Sequence, residues 1–565
     1  MEARPEIDPS ALAAVDDAFA SFHAEDEAPG LTYAVVANGT IVHASAVGVS
    51  SIGGPPMHAD SVLRVASMTK SFTAATVLLL RDEGLLALDE PIGTYVPELR
   101  GQRMPTADSP TPTLRMLLTM SAGLPTDDPW ADREESMTPN DLSALLAAGL
   151  SFSAAPGTGF QYANLGYVIA GRAIAEVTGQ RYHDIVRTRL LEPLGMSSTG
   201  FAVADVPATD LVQGHHKLDD EWVVEPFADP GEFSPLGGIF SSVTDLATWV
   251  GGFTDAFPAR DDPDDGHPLS RASRREMQQM YRFNDVTVPA ERATTPAVRA
   301  RAIGYGFGLG VTHDTRWGQI VGHSGGYPGY GSNMRWHPTT GVGVIALANG
   351  RYTKASEPAA AALEIVLASL DAPSRRVVPW ERTLTMQQTV QSLVQTWDDD
   401  LADAIFAANV DADLDRERRR AEVQAVTEQL GAIAGIEAGS TSADNASDIE
   451  WWISGERGRA QVDLQLTPHA VPLVQTFGIA FVGQVSDAVT AALDAVVAQL
   501  GLTGDVDVSC TSWRSEHDAT FRIRHDVDEW KAVVVVDPET GETTSAVTTP
   551  IPPSANRFGK SVFDS

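Results

Sequence analysis

Apolar runs alternate with polar turns over the first 370 residues and predict strands at both ends of this region. Residues 31–37 and 40–47 are rich in β-branched and small apolar side chains and flank Asn38-Gly39, a strong hairpin signal. Further strand-like runs occupy residues 304–311, 319–321, 331–336 and 342–348.

Helical patterns lie between these strands. Residues 71–80 contain no Gly or Pro, and the run 77–80 is apolar on every side, so we expect a buried helix that stops at Gly84. Other helical patterns cover residues 140–150, 166–179 and 356–370. The order of elements predicts an α+β fold, with helices packed on an antiparallel sheet whose first and last parts pair.

The chain is too long for one domain. Single hydrophobic cores stop growing near ~250–300 residues, and this chain has 565. Asp371-Ala372-Pro373-Ser374 is the best linker, so we predict a first domain at 10–370 and a second at 375–565. In the second, helical patterns (383–407, 413–431, 485–500) and strand patterns (449–466, 518–524, 531–536) predict an α+β accessory domain without a chemical motif.

A strong negative charge limits the partners. The formal net charge is −35, which argues against nucleic acid and anionic membranes. The first residues lack the apolar stretch of a secretory signal, and no run approaches the ~18 apolar residues of a membrane span. We therefore expect a cytoplasmic protein, in agreement with the lone Cys510. The oligomeric state is left open.

Ser67-Met68-Thr69-Lys70 is the first motif along the chain that indicates a catalytic function. Residues at i and i+3 share one helix face, so the Lys70 amine can sit beside the Ser67 hydroxyl and remove its proton. The chain contains only five lysines, and none of the other four follows a serine at this spacing. The alternative is a capped core helix with a chance lysine.

Two later motifs supply the context for Ser67. Tyr162-Ala163-Asn164 precedes a helical pattern, and His323-Ser324-Gly325-Gly326 follows a strand-like run. With this order of motifs, the chain resembles the serine β-lactamase and penicillin-binding-protein superfamily. Within it, the chain is similar to the branch of class C β-lactamases, D-alanyl-D-alanine carboxypeptidases, D-aminopeptidases and β-lactamase-like esterases. The resemblance covers roughly residues 10–370 and implies an antiparallel sheet flanked by helices plus an all-helical subdomain.

The resemblance also implies roles for these residues. Ser67 would be the nucleophile of an acyl-enzyme mechanism and Tyr162 the general base and acid, its pKa lowered by the Lys70 ammonium. Asn164 would hold the lysine or the substrate amide. The backbone N–H groups of Ser67 and Gly326 would form an oxyanion hole. His323, Ser324, Gly325 and Gly326 would line the substrate.

His323 sets this chain apart from class C β-lactamases, which usually carry a lysine there. A mostly neutral histidine suits D-peptidases and esterases better than an enzyme that binds a β-lactam carboxylate. We therefore expect a serine hydrolase acting on small D-amino-acid peptides, amides or esters. The alternatives are a β-lactamase and a catalytically silent binding or scaffold protein. The presence of Ser67, Lys70, Tyr162 and Asn164 together argues against a protein that has lost catalysis.

A second nucleophile is conceivable within the third motif. Gly322-His323-Ser324-Gly325-Gly326 fits the G-x-S-x-G elbow, which would make Ser324 the nucleophile. That elbow requires a helix directly afterwards, and the Pro and Gly residues at 328–331 break helices. Residues 126–133 form a polar loop that either borders the substrate or is an ordinary surface loop. We expect no metal and no cofactor, because there is no H-E-x-x-H motif and only one cysteine.

Overall fold

The structure is a computed structural model that describes residues 5–264, 266–287, 300–373, 377–502, 506–525 and 528–551. The chain divides into two compact units: of the described residues, the first holds those up to Thr287 and from Arg301 to 373, and the second holds Ala300 and those from 377 onward. Ser374, the last residue of the predicted linker, lies outside the described residues. Among the residues described, no helix combines the length and apolarity needed to cross a membrane.

An antiparallel sheet of eight strands forms the centre of the first unit, in the order β2-β1-β12-β11-β10-β9-β8-β7. The strands of this unit are β1 (Gly30–Ala37), β2 (Thr40–Gly48), β3 (Leu63–Arg64), β4 (His215–Leu218), β5 (Glu221–Val224), β6 (Phe240–Ser241), β7 (Arg282–Thr287), β8 (Arg301–Tyr305), β9 (Gly310–Asp314), β10 (Gly318–Tyr327), β11 (Tyr330–His337) and β12 (Val342–Ala348). The predicted pairing of the two ends is confirmed, because Leu31 of β1 lies opposite Ala348 of β12.

One predicted strand is wrong in its extent. Residues 304–311 do not form a single strand: β8 ends at Tyr305 and β9 begins at Gly310. The turn between them contains Gly308 with a φ of 69°, a left-handed conformation that glycine adopts without strain. The composition of residues 304–311, which favours strands, did not reveal this turn.

Helices cover both faces of the sheet. They are α1 (Pro9–Ala24), α2 (Thr69–Asp82), α3 (Leu114–Leu118), α4 (Asp128–Ala131), α5 (Pro139–Ala147), α6 (Asn164–Thr178), α7 (Tyr182–Val186), α8 (Ser234–Gly237), α9 (Val243–Asp255), α10 (Arg271–Met277) and α11 (Ser356–Ser369). Successive residues of β12 point to opposite faces, so Val344 packs in the core with α1 and α11 while Ile345 packs in the core with α2, α6 and α9. The predicted α+β class is confirmed.

The second unit also mixes helices and antiparallel strands. Its helices are α12 (Glu381–Gln395), α13 (Asp399–Ile405), α14 (Ala408–Asp413), α15 (Arg416–Leu430) and α16 (Asp487–Gln499), and its strands are β13 (Ile433–Ile436), β14 (Ser442–Asn445), β15 (Asp448–Gly455), β16 (Gly458–Leu466), β17 (Val474–Val482), β18 (Asp507–Ser515), β19 (Asp518–His525), β20 (Asp528–Val536) and β21 (Thr543–Ile551). Strands β13 to β17 form one sheet, and β18 to β21 form another. The pattern at 449–466 is two strands, β15 and β16.

Strand β10 lies directly against the turn that carries Ser67. A Cβ atom added to Gly325 would come within 2.4 Å of the Val65 carbonyl oxygen and 2.9 Å of the Ala66 Cβ. The hydroxyl of Ser332, opposite Gly325 on β11, donates to the same Val65 oxygen at 2.7 Å. A side chain at position 325 would therefore push the strand away from the turn.

Gly325→Ala should destabilise the first unit by about 1–3 kcal/mol, because overpacking against backbone forces atoms to shift. Hydrogen exchange measured by mass spectrometry should show faster exchange in a peptide covering residues 60–75. Gly266→Ala is the matched control, since its added methyl would meet nothing within 4 Å. Equal thermal midpoints and equal exchange in the two variants would contradict this packing argument.

Candidate active site

Ser67 lies in a single 3₁₀ turn, Ala66–Met68, which joins β3 to α2. The sequence placed Ser67 at the start of a helix, and the structure places it just before α2, on which Lys70 lies. Ala66 has a φ of 51°, a strained backbone conformation for a residue with a side chain. Such strain persists only where the surroundings enforce it, and here it presents Ser67 at the entrance of a cleft.

Lys70 is fully buried and is held by two uncharged oxygens. Its Nζ donates to Ser67 Oγ at 2.9 Å and to the Leu236 carbonyl at 2.8 Å. Removal from water lowers the pKa of Lys70, and the charges of Asp132, Asp128 and Asp127 only partly oppose this shift. A lysine with a lowered pKa carries a larger fraction of free amine, so Lys70 can accept the Ser67 proton.

Tyr162 completes a row of three groups, because its side chain is hydrogen-bonded to Ser67. Loss of water raises the pKa of Tyr162 well above 10, and the charge of Asp128 raises it further. The expected lowering of this pKa by Lys70 is therefore wrong. Tyr162 therefore keeps its proton near neutral pH, which suits a proton donor better than a base.

Asn164 is the first residue of α6 and has no exposed surface. The Asp127 carboxylate accepts hydrogen bonds from the backbone N–H groups of Asn164 and Leu165, which caps this helix. The side-chain nitrogen of Asn164 donates to Asp128, and its buried Oδ1 has no hydrogen-bond partner among the residues that the structure describes. The expected hydrogen bond between Asn164 and the lysine is therefore not formed.

Both ring nitrogens of His323 have partners within the protein. Nδ1 lies 2.6 Å from the Ser324 carbonyl, and Nε2 lies 2.7 Å from the Tyr305 hydroxyl. A carbonyl can only accept, so Nδ1 carries the hydrogen and Nε2 accepts from Tyr305. Burial lowers the pKa of His323 to about 3. His323 is therefore neutral, and both of its ring nitrogens are hydrogen-bonded within the protein, although its ring lines the cleft.

The rest of the third motif lies inside β10, where side chains alternate between the two faces of the sheet. Gly325 faces the Ser67 turn, whereas Ser324 faces away from it and accepts a hydrogen bond from Asn333 at 2.9 Å. No helix follows, because β10 turns directly into β11. The nucleophile-elbow hypothesis for Ser324 is therefore wrong. The oxyanion hole at Ser67 and Gly326 stays a prediction.

The cleft has a volume of about 660 Å³ and is lined by Ser67, Tyr162 and the third motif, together with residues that the sequence did not assign. They include Asp128, Asp132, Tyr305 and Tyr352. Position in the polar loop 126–133 was a weak signal for the two aspartates. For Tyr352 the sequence held no signal, because this residue is brought to the cleft by contacts with a distant turn: its backbone N–H donates to the carbonyl of Tyr330.

Comparison with known proteins agrees with this architecture. The Beta-lactamase family profile matches residues 15–368. The esterase EstB of Burkholderia gladioli is 32% identical over 218 residues, 35% of this chain and 54% of its own. The D-alanyl-D-alanine-carboxypeptidase/endopeptidase AmpH of Escherichia coli strain K12 is 28% identical over 201 residues, 34% of this chain and 48% of its own. The chain thus spans about half the length of these relatives.

A solved structure extends the likeness in fold. The octameric penicillin-binding protein homologue from Pyrococcus abyssi aligns with a TM-score of 0.52 at 20% identity and covers 93% of this chain and 96% of its own. At this identity the likeness concerns the fold alone. The family profile covers well over half of the 565 residues, and the chain therefore belongs to the Beta-lactamase family.

Proposed function

We propose that this protein is a serine hydrolase that cleaves small amides or esters through an acyl-enzyme on Ser67. One observation carries the proposal: the Ser67 hydroxyl lies between a desolvated amine, Lys70 Nζ at 2.9 Å, and the protonated hydroxyl of Tyr162. A serine flanked by an acceptor and a donor can be deprotonated on one side while a proton is supplied on the other.

Acylation follows from this row of groups. The Ser67 proton moves to Lys70 Nζ as Oγ attacks the substrate carbonyl, and the new C–O bond leaves a negative oxygen. We assign the stabilisation of that oxygen to the backbone N–H groups of Ser67 and Gly326. Loss of one such donor typically raises the activation free energy by about 3–4 kcal/mol. Collapse breaks the bond to the leaving group, which takes the Tyr162 proton, and the Lys70 ammonium then gives the proton that it took from Ser67 to the Tyr162 phenolate.

Hydrolysis of the acyl-enzyme repeats these steps with water. A water molecule loses its proton to the restored free base and attacks the ester carbon. Ser67 then leaves with a proton, which regenerates the resting site. Lys70, Ser67 and Tyr162 therefore account for every proton that is transferred in the two half-reactions.

The substrate class is proposed from His323 and from the relatives. A neutral His323 with both nitrogens engaged offers no positive charge to a carboxylate, which favours a peptidase, amidase or esterase over a β-lactamase. The names of EstB and AmpH refer to ester and D-alanyl-D-alanine substrates. Small D-amino-acid peptides, amides and esters are therefore the first substrates to test.

Replacing Ser67 tests the proposal directly. Ser67→Ala should abolish fluorophosphonate labelling and the hydrolysis of p-nitrophenyl esters and D-amino-acid amides, while changing stability by less than about 1 kcal/mol. Ser324→Ala, the matched control in the same cleft, should keep labelling and activity. A wild-type protein that neither labels nor hydrolyses any of these compounds would favour the silent scaffold. Efficient turnover of nitrocefin alone would favour the β-lactamase.

The pH dependence reports on Lys70. Because the free amine is the base and burial lowers its pKa below 10.5, kcat/KM for a neutral ester should rise with pH and level off well below pH 10. Tyr162 should add no descending limb in that range, since its pKa is raised. The measurement is a profile from pH 5.5 to 9.5 with the uncatalysed rate subtracted. A flat profile, or a decline with rising pH, would remove Lys70 as the base.

A further inference from the structure

Glu135 is a buried carboxylate that contacts two elements carrying proposed catalytic groups. It lies in the turn between α4 and α5, and its side chain is 1% exposed. Its Oε1 atom accepts a hydrogen bond from the Ser234 hydroxyl at 2.5 Å, and its Oε2 atom accepts one from the Tyr327 hydroxyl at 3.2 Å. The acylation steps use none of these three side chains.

Ser234 connects Glu135 to the base. It is the first residue of α8, and the carbonyl of Leu236 in the same helix accepts the hydrogen bond from Lys70 Nζ at 2.8 Å. The Ser234 hydroxyl also accepts from the Gly231 N–H at 3.2 Å, so the direction of this hydroxyl is fixed on both sides. The contact between Ser234 and Glu135 therefore anchors the helix that supplies an acceptor to Lys70.

Tyr327 connects Glu135 to the proposed oxyanion hole. It is the last residue of β10 and directly follows Gly326. Among the described strands, β9 pairs with β10 as far as Gly322, and the last residues of β10 pair with β11 alone. Burial, together with the charge of Glu135, raises the pKa of Tyr327 well above 10, so its hydroxyl is a donor. The hydrogen bond to Glu135 thus anchors β10 where it has a strand neighbour on one edge.

The surroundings of the Glu135 carboxylate leave it little room to move. The guanidinium of Arg64 lies 3.7 Å from Oε1, and the same guanidinium lies 4.8 Å from the ring centroid of Tyr327. A Cβ added to Gly238 would come within 2.4 Å of Oε1. Because a buried charge without its partner is costly, the carboxylate, the guanidinium and the tyrosine ring stay together.

We propose that Glu135 is a positioning residue that sets the separation between the base and the oxyanion hole. Its contact with Ser234 fixes α8, which carries the acceptor of the Lys70 hydrogen bond. Its contact with Tyr327 fixes the end of β10, next to Gly326. Catalytic groups must be held within about 0.5 Å of the productive geometry, and a misplacement of about 1 Å can cost ~100-fold in rate. This inference rests on the proposed hydrolase function.

Tyr327→Phe removes the hydroxyl that contacts Glu135 and keeps the ring beside Arg64. Tyr330→Phe is the matched control, because Tyr330 is also 3% exposed, lies opposite Tyr327 in the β10–β11 hairpin and donates to the Val212 carbonyl at 2.9 Å. With p-nitrophenyl butyrate, Tyr327→Phe should lower kcat at least tenfold and change KM less than threefold. Tyr330→Phe should change kcat less than threefold. Equal kcat values in the two variants would overturn the proposal.

A transition-state analogue distinguishes a displaced oxyanion hole from a general loss of stability. A boronic acid forms a tetrahedral adduct with a serine hydroxyl, and one adduct oxygen would occupy the oxyanion hole. Inhibition by propylboronic acid should weaken at least tenfold in Tyr327→Phe and less than threefold in Tyr330→Phe. Unchanged boronate inhibition in a folded Tyr327→Phe protein would contradict the role of Glu135 at the oxyanion hole.

Ser234→Ala tests the contact on the side of the base. It should loosen the Leu236 carbonyl, and a weaker hydrogen bond to the ammonium form lowers the pKa of Lys70. The ascending limb of the kcat/KM profile should therefore move to lower pH by at least about 0.5. Ser242→Ala removes another buried hydroxyl, which caps α9, and should leave the limb in place. Identical profiles for the two variants would contradict the role of Glu135 at the base.

Glu135→Gln tests both contacts at once. A glutamine has the same length but one acceptor oxygen, so it cannot accept from both hydroxyls. This variant should show both the lower kcat and the shifted limb, and a folded variant with neither change would overturn the proposal. If Glu135→Gln does not fold by circular dichroism, Tyr327→Phe and Ser234→Ala decide.

The outcomes separate the two proposals. A wild-type protein that is labelled at Ser67 and hydrolyses the ester, with Tyr327→Phe and Ser234→Ala behaving like their controls, would refute only the positioning role of Glu135. A wild-type protein without labelling or turnover would refute the hydrolase proposal and this inference with it.

Discussion

The burial of the Lys70 amine beside Ser67 is the constraint on which the rest of the site depends. An ammonium in this place loses its hydration and gains only the oxygens of Ser67 and Leu236 as direct partners, so burial lowers the pKa of Lys70 to about 8. A Cβ on Gly308 would lie 2.5 Å from the Lys70 carbonyl oxygen, which shows how closely the β8–β9 turn packs on α2. Close packing here keeps water away from the base.

A buried ion pair, Arg64 with Glu135, lies close to the turn that carries the nucleophile. Arg64, at the end of β3, donates to the carbonyls of Gly238 and Ala228 and lies 3.7 Å from Glu135. Both side chains of this ion pair are 1% exposed, so removing one partner would leave an uncompensated charge in the interior. Arg64 thereby ties the strand before Ser67 to the segment that contains Leu236, whose carbonyl accepts a hydrogen bond from Lys70.

The sequence predicted the elements with clear periodicity and the residues within compact motifs. Strand β12 begins and ends where its apolar run does, and the Ser-x-x-Lys spacing brought Ser67 and Lys70 into contact. Protonation was harder to predict, because the pKa of Tyr162 depends on burial and on carboxylates from α4 and the residues around it. Tyr352 could not be assigned to the cleft from sequence and Asp132 had only the weak signal of its polar loop, since their hydrogen bond depends on how distant segments pack.

The ionisation of Lys70 is the most direct test of this account, and the small number of lysines makes it practical. With [ε-¹³C]lysine incorporated into the protein, each of the five lysines gives one signal that can be titrated by NMR, and Lys70→Met identifies the signal of interest. We expect the Lys70 signal to titrate well below the ordinary lysine value of ~10.4. A Lys70 signal that titrates near ~10.4 would contradict the claim that a desolvated amine activates Ser67.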